Sequence, residues 1–304
     1  MPSLLSRRAQ VLLEASLAPN TRLSYSGSMR RFEAWCLANN LLSLPAAPKT
    51  VAEYIAALYN EGFKASTIRT NIAGICAIHR DAEHPDPSES RLVHRVLQGA
   101  MRLKGMRPTR KAPTEMEDLD RILCAIPNTL VGLRDKAMLT LGFAGAMRRS
   151  EVVGIDVEDV TFTPDGATVL IGTSKTDPFS YGVMVAIPDG KTLRAATTLR
   201  TWLEAACITS GPVFRPIYNG HVIERRVHPT VGPRALKKYA EIAGFDPTLY
   251  SGHSLRAGFI TEAANAGVDT LALMGHSRHR TTKQLREYVR KANLFKNHPG
   301  LSFL

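Results

Sequence analysis

Arg148-Arg149-Ser150-Glu151 sets two guanidiniums side by side and a carboxylate three residues after the first. On a helix that spacing brings Arg148 and Glu151 to one face, where the carboxylate can hold the guanidinium rigid for a two-pronged grip on phosphate. His253-Ser254-Leu255-Arg256 pairs a histidine with an arginine at the same interval. Further on, His279 precedes Tyr288 by nine residues, and Arg286 and Arg290 flank the tyrosine. Each segment alone is ordinary: a surface ion pair, a chance His and Arg, a basic helix face. Together, arginines, a lysine on a hairpin, histidines and a tyrosine near the carboxyl end are the set that metal-free cleavage of a phosphodiester needs. Cations serve the non-bridging oxygens, an acid serves the leaving oxygen, and a hydroxyl is the nucleophile.

Such side chains need a scaffold, and the composition supplies one. The 304 residues are 44% hydrophobic and 22% charged, the balance of a globular chain with room for two domains. A net charge of +12 makes a polyanion the leading partner, nucleic acid first. No apolar run approaches the ~20 residues that span a bilayer. Residues 1–19 read as an exposed or helical leader, and the expected setting is cytoplasmic, associated with the nucleoid. Cys36, Cys76, Cys124 and Cys207 lie far apart without a CxxC pair. That spacing indicates neither a disulfide frame nor a zinc site, so no metal is expected and each cysteine reads as a small buried hydrophobe.

Residues 1–110 hold 15 Lys/Arg against 8 Asp/Glu, whereas 111–304 hold 24 against 19, so the smaller piece is the more basic per residue. Between them Arg102, Lys104, Arg107, Arg110 and Lys111, interleaved with Gly and Pro, should resist regular structure. The boundaries are therefore 1–105, a linker at 106–113, and 114–304. That linker is either solvated or laid along phosphates, where each contact adds salt-dependent affinity.

The expected fold class is mainly α (α+β). Four amphipathic helices fill the first piece: one capped by Asn20 with Leu23, Phe32, Trp35 and Leu37 inward, one after Thr50, one from Ser66 or Thr67 through Ile68, Ile72, Ile75 and Ile78, and one from Ser88 to Gly105. In the second piece, Thr114 and Glu117 resemble a capping box, and a helix follows over 130–144. Strands are expected at 160–163, 167–172 and 182–187, with a Pro164-Asp165-Gly166 turn between the first two. Helices resume over 191–206, 228–243, 253–266, 271–274 and 281–291.

From Asn20-Thr21-Arg22-Leu23-Ser24-Tyr25 to Leu294-Phe295 the chain resembles the tyrosine site-specific recombinases, the phage integrase family. The resemblance implies a SAM-like, DNA-gripping amino-terminal bundle (1–105) and a catalytic domain (114–304). Ala146-Met147-Arg148-Arg149-Ser150-Glu151 is similar to the family's first arginine box, with Arg148 catalytic and Glu151 supporting. Ser174-Lys175-Thr176-Asp177 resembles the segment bearing the catalytic lysine, hence Lys175. His253 and Arg256 match the His-x-x-Arg box, and Tyr288 matches the nucleophile. Gly275-His276-Ser277 resembles the Gly-His-Ser element, but His276 lies twelve residues from Tyr288 where nine is usual. His279 is therefore assigned and His276 kept as the alternative. Arg149 would point about 100° away from Arg148 round a helix, so it reads as a salt-bridged or DNA-backbone arginine.

On this resemblance Tyr288 attacks a phosphate in duplex DNA, leaving a 3'-phosphotyrosyl bond and a free 5'-hydroxyl, without cofactor, metal or ATP. Arg148 and Arg256 hold the phosphorane oxygens, His279 donates a hydrogen bond, Lys175 protonates the departing oxygen, and His253 assists at the tyrosine. Family members act as homotetramers on two DNA sites through a Holliday junction. The tail, with Asn293 to Phe295 and Leu301 to Leu304, either docks on a neighbouring subunit or closes its own core. A type IB topoisomerase, a telomere resolvase and a catalytically idle DNA-binding regulator are the competing readings.

Overall fold

The computed structural model describes residues 6–105, 113–172 and 182–279 and positions 281, 282, 285 and 288. Two compact units divide the chain, Met1–Thr109 and Arg110–Leu304. Among the described residues no helix is long and apolar enough to cross a membrane.

The first unit holds α1 (Arg7–Ala15), α2 (Pro19–Ala38), α3 (Pro48–Asn60), α4 (Ala65–Asp81) and α5 (Arg91–Lys104). Met29, Phe32 and Cys36 of α2 meet Tyr54, Ile55 and Leu58 of α3 and Ile68, Ile72 and Ile75 of α4. Their burial contributes about 1.5–3 kcal/mol for each large side chain. Leu23 and Leu37, expected inward, are 67% and 80% exposed. At 100° per residue they stand about 180° and 140° from Phe32, so the helix turns them to solvent. Ala18 and Ala47, not Asn20 and Thr50, precede α2 and α3, each with Pro at the first helical position, where its fixed φ suits the turn. Gly62, at φ +82°, ends α3's run in a conformation open to glycine. A separate 3-10 turn at Pro87–Glu89 precedes α5, which runs to Lys104. Arg102 and Lys104 are thus helical, in the last turn where cations complement the exposed carbonyls, and the Lys104 ammonium lies 4.6 Å from the Tyr59 ring centre.

The second unit runs α6 (Met116–Cys124), α7 (Leu130–Ala144), α8 (Arg149–Gly154), β1 (Val160–Thr163), β2 (Gly166–Ile171), β3 (Val183–Pro188), α9 (Ala195–Ala205), β4 (Ile217–Tyr218), β5 (His221–Val222), α10 (Val231–Ile242), α11 (Ser254–Asn265) and α12 (Thr270–Ser277). Three strands form the expected antiparallel sheet in order β1-β2-β3, with Thr163 opposite Gly166 and Ile171 opposite Val183. A Cβ on Gly166 would lie 2.2 Å from the Ile187 carbonyl oxygen, so the turn needs glycine. The fold is mostly helical with a small sheet, as its periodicities imply. α7 is apolar nearly all round because it is the central rod. Met138 and Leu141 face the sheet and α9, while Leu139 and Phe143 face α6, α10 and α11.

Several local expectations fail for identifiable reasons. Thr114 does not cap α6; it is buried, and the Glu262 carboxylate of α11 accepts the Met116 N–H at 2.9 Å instead. α9 starts at Ala195 rather than 191, since Asp189 accepts the Thr197 N–H from outside the helix. α10 begins at Val231, and α12 extends over Thr270–Ser277 because the Asp269 side chain caps Leu271 and Ala272. The β4-β5 pair had no periodicity to announce it. Cys36 and Cys76 are buried as expected, but Cys124 and Cys207 are exposed beside helix ends.

Candidate active site

α7 does not continue through the arginine pair. Gly145 closes it, Ala146 adopts φ +44°, and a new helix, α8, starts with Arg148 as its N-cap residue. The expected shared helical face is therefore replaced by a cap. Glu151, in the first turn of α8, accepts the Arg148 backbone N–H at 2.9 Å and pairs with the Arg148 guanidinium through its other oxygen. Its first oxygen also accepts from the Arg278 guanidinium at 2.9 Å. Burial alone would raise the Glu151 carboxyl, but the Arg278 charge, the Arg148 N–H and the Arg148 guanidinium together bring it below its usual value. Glu151 is thus a charged, buried holder for two arginines.

Arg256 comes from the first turn of α11. It is buried, donates to the Ala146 carbonyl at 2.6 Å and to the Ser277 carbonyl, and lies 3.3 Å from His279 Nδ1. Desolvation, then the neighbouring Arg148 charge, lowers it to about 9, which still leaves it charged at neutral pH. α12 ends at Ser277, and its C-cap residue Arg278, at φ +56°, makes a left-handed turn that delivers His279 to Arg256. His279 Nδ1 is 2.7 Å from Ser277 Oγ, whose own hydroxyl donates to the Leu273 carbonyl at 2.6 Å. Burial, followed by the Arg256 and Arg148 charges, pushes His279 down to about 4, so its ring is neutral at pH 7.

His276 faces elsewhere. Its Nε2 lies 2.8 Å from the Ala144 carbonyl, and its ring stacks on Phe259 with centres 4.7 Å apart. That is a packing role at the end of α7. Tyr288 is half-buried against Ile260, Ala264, Leu273 and Leu285. The structure thus gathers Arg148, Glu151, Arg256 and His279, while the Tyr288 ring packs on the neighbouring apolar cluster of α11 and α12. His253 precedes α11 as an exposed N-cap residue. Arg149 is exposed, its stem alongside Gly252 rather than with Arg148. Lys175, Arg107, Arg110, Lys111, Arg286, Arg290 and the tail beyond 288 lie outside the described residues. Among the described residues no three His, Cys, Asp or Glu side chains are grouped as metal ligands would be.

Two participants escaped the sequence reading. Arg278 stands between two histidines without a motif of its own, and Ser277 reads only as part of Gly-His-Ser. In the amino-terminal unit, a polar cleft between α2 and α4 is lined by Ser24, Ser28, Arg31, Thr67, Thr70 and Asn71, with Arg31 donating to the Asn71 side-chain oxygen at 2.9 Å. Its hydroxyls are spaced by helix turns, a pattern that hydrophobic periodicity does not register.

Residues 114–294, which hold every member of this cluster, match the model of the phage integrase family. Over 300 residues the chain is 36% identical to an integrase/recombinase xerD homolog of Selenomonas ruminantium, covering 96% of this chain and 88% of that protein. The chain belongs to the phage integrase family of tyrosine site-specific recombinases. It is also 25% identical to the recombinase cre of Escherichia phage P1, over 86% of this chain and 81% of that one. The fold is shared with the Tn1549 transposon integrase in complex with transposon right end DNA, at a TM-score of 0.64 and 16% identity, with 95% of this chain and 97% of that chain covered. A lambda integrase dimer bound to a COC' core site superposes with a TM-score of 0.60 at 16% identity, covering 93% of each chain.

Proposed function

We propose that this integrase-family chain is a site-specific DNA recombinase in which Tyr288 is the nucleophile and Arg148, Arg256 and His279 bind the scissile phosphate. The observation that carries this reading is the convergence of two guanidiniums and a neutral imidazole, nine residues ahead of a half-buried tyrosine. Tyr288 Oη attacks phosphorus and the bond to the 5'-oxygen breaks, giving a 3'-phosphotyrosyl bond and a 5'-hydroxyl. The phosphodiester's energy is kept in the new bond, so rejoining needs no ATP. Arg148 and Arg256 bear the charge that develops on the non-bridging oxygens. A neutral His279 donates through one nitrogen and accepts through the other, and the arriving phosphate anion favours the tautomer or protonation state that donates to it. Lys175 supplies the proton to the 5'-oxygen, and His253, at the start of α11, assists proton movement at the tyrosine.

The partner is duplex DNA carrying paired recombination sites. The hydroxyl-lined cleft of α2 and α4 and the basic side chains of 102–111, Arg102, Lys104, Arg107, Arg110 and Lys111, serve sugar and phosphate, positioning the duplex rather than reading it. Arg149, exposed beside the cluster, takes a flanking phosphate. Four protomers on two sites exchange one strand pair through a Holliday junction and then the other, in the cytoplasm on nucleoid DNA. A supercoiled plasmid with two copies of a core site found in the DNA flanking the gene tests this. Excision or inversion products support recombination, whereas relaxation alone would support a topoisomerase and no strand breakage an idle DNA-binding protein.

A further inference from the structure

Arg278 occupies a place where an arginine is an expensive choice. Its φ of +56° lies in the left-handed region, which suits glycine and burdens a side chain with a Cβ. Its side chain is almost wholly buried, and its Nε–H is a buried donor without a partner among the described residues. An arginine that meets both costs must have them offset by what its other nitrogens hold. What it does is visible in its remaining nitrogens. One donates to the His276 carbonyl at 2.7 Å. The other reaches the Gly145 carbonyl at 3.1 Å, the Ala146 carbonyl at 3.2 Å and Glu151 at 2.9 Å.

Those acceptors belong to two separate pieces of chain. Gly145 and Ala146 form the break between α7 and α8 that sets where Arg148 begins, while His276 is in the last turn of α12, just ahead of His279. Ala146's carbonyl also accepts from Arg256 at 2.6 Å, so the same backbone atom is held by two arginines. Glu151 in turn accepts from Arg148 and Arg278 on opposite oxygens.

Resting on the recombinase reading above, we infer that Arg278 is a positioning residue for strand cleavage: a buried guanidinium that ties the Arg148 turn to the His279 turn and acts on Arg148 through Glu151. Its position behind Glu151, rather than an open face, is why it is not itself a phosphate ligand. A lysine there keeps the charge but cannot reach four acceptors on two segments with a planar fork.

The test uses the full-length protein and a nicked suicide DNA substrate carrying the core site. Arg278→Gly removes the guanidinium while relieving the backbone, and Arg278→Lys keeps the cation. Displacing a catalytic group by about 1 Å costs roughly 10²-fold in rate. Arg278→Gly should therefore lower the cleavage rate constant at saturating DNA by about that factor, with DNA affinity within about threefold of wild type, and Arg278→Lys should recover only part of it. Because part of the effect runs through Glu151, Arg278→Gly should slow the Glu151→Gln protein by a smaller factor than it slows the wild type. An activity-independent readout accompanies this. The Arg148 Nε–H signal in the DNA-free protein should lose its rigidity by NMR relaxation in Arg278→Gly.

Cleavage within twofold of wild type, multiplying effects in the double variant, or a rigid Arg148 in Arg278→Gly would each overturn the inference. If the wild-type chain forms no covalent adduct, the recombinase reading fails. The Arg148 relaxation then decides separately whether Arg278 positions it.

Discussion

Two histidines three residues apart have different surroundings in this structure, and on the proposed function replacing each by alanine should separate packing from cleavage. His276 gives a hydrogen bond to the Ala144 carbonyl at 2.8 Å and stacks on Phe259. Losing it strands a buried carbonyl, about 1–3 kcal/mol, and an aromatic contact of about 0.5–1.5 kcal/mol. A loss near 3 kcal/mol lowers the melting temperature of a unit this size by about 6–12 °C. Cleavage measured well below that melting point should stay close to wild type. His279 is only half-buried and touches Arg256 at 3.3 Å, so its removal should hardly move the melting temperature. It should instead slow cleavage by about 10²- to 10³-fold, the usual effect of deleting one donor to a developing oxyanion. Thermal unfolding and single-turnover cleavage of a suicide substrate, run on both variants, give the four numbers. A slow but stable His276→Ala beside a fast but unstable His279→Ala would refute the assignment.

Other expectations follow from the same geometry. His279, held near 4, should remain neutral when the free protein's histidine signals are titrated by NMR from pH 8 to 5, and a midpoint near 6.5 would contradict its burial among three arginines. Because its folded pKa lies below its unfolded one, the unfolded chain takes up the extra proton, so this group erodes stability as pH falls from about 6.5 to 4 and not above. A Cβ at position 258 would lie 1.9 Å from the Thr114 carbonyl oxygen, so Gly258→Ala should push residue 114 off α11, lower stability and slow cleavage, as unfolding and cleavage measurements would register. Unchanged values would mean the close approach is unimportant. Neutralising Arg107, Arg110 and Lys111 together should flatten the slope of log affinity against log salt by about two or three units on specific and unrelated DNA alike. Loss of specific binding alone, at an unchanged slope, would make the linker a base reader.

The elements that follow from hydrophobic period and turn chemistry were legible in advance. α7, the Pro164-Asp165-Gly166 turn and the strand pairs around it need only local information. The nine-residue interval from His279 to Tyr288 is legible as a spacing, and in the structure His279 lies against Arg256 while His276 serves Phe259 and Ala144. What stayed hidden depends on contacts distant in sequence. The Arg148 and Glu151 pairing is readable as a spacing, but not as a cap formed after the helix breaks at Ala146. Arg278 meets Glu151 across 127 residues, and no local pattern encodes that. Glu262 displaces Thr114 as the partner of the α6 terminus for the same reason. Leu23 and Leu37 show the other limit: an apolar residue in a helix is inward only if its angle agrees with its neighbours.

In the proposed function Tyr288 Oη forms the covalent bond to DNA. Incubating the protein with a nicked suicide substrate, digesting the trapped complex and locating the nucleotide by peptide mass spectrometry tests it directly. The account predicts a phosphotyrosyl linkage on the peptide containing Tyr288, and none from Tyr288→Phe, which should still bind the DNA. An adduct formed by that variant, or one mapped to Tyr239 or Tyr250, would contradict it.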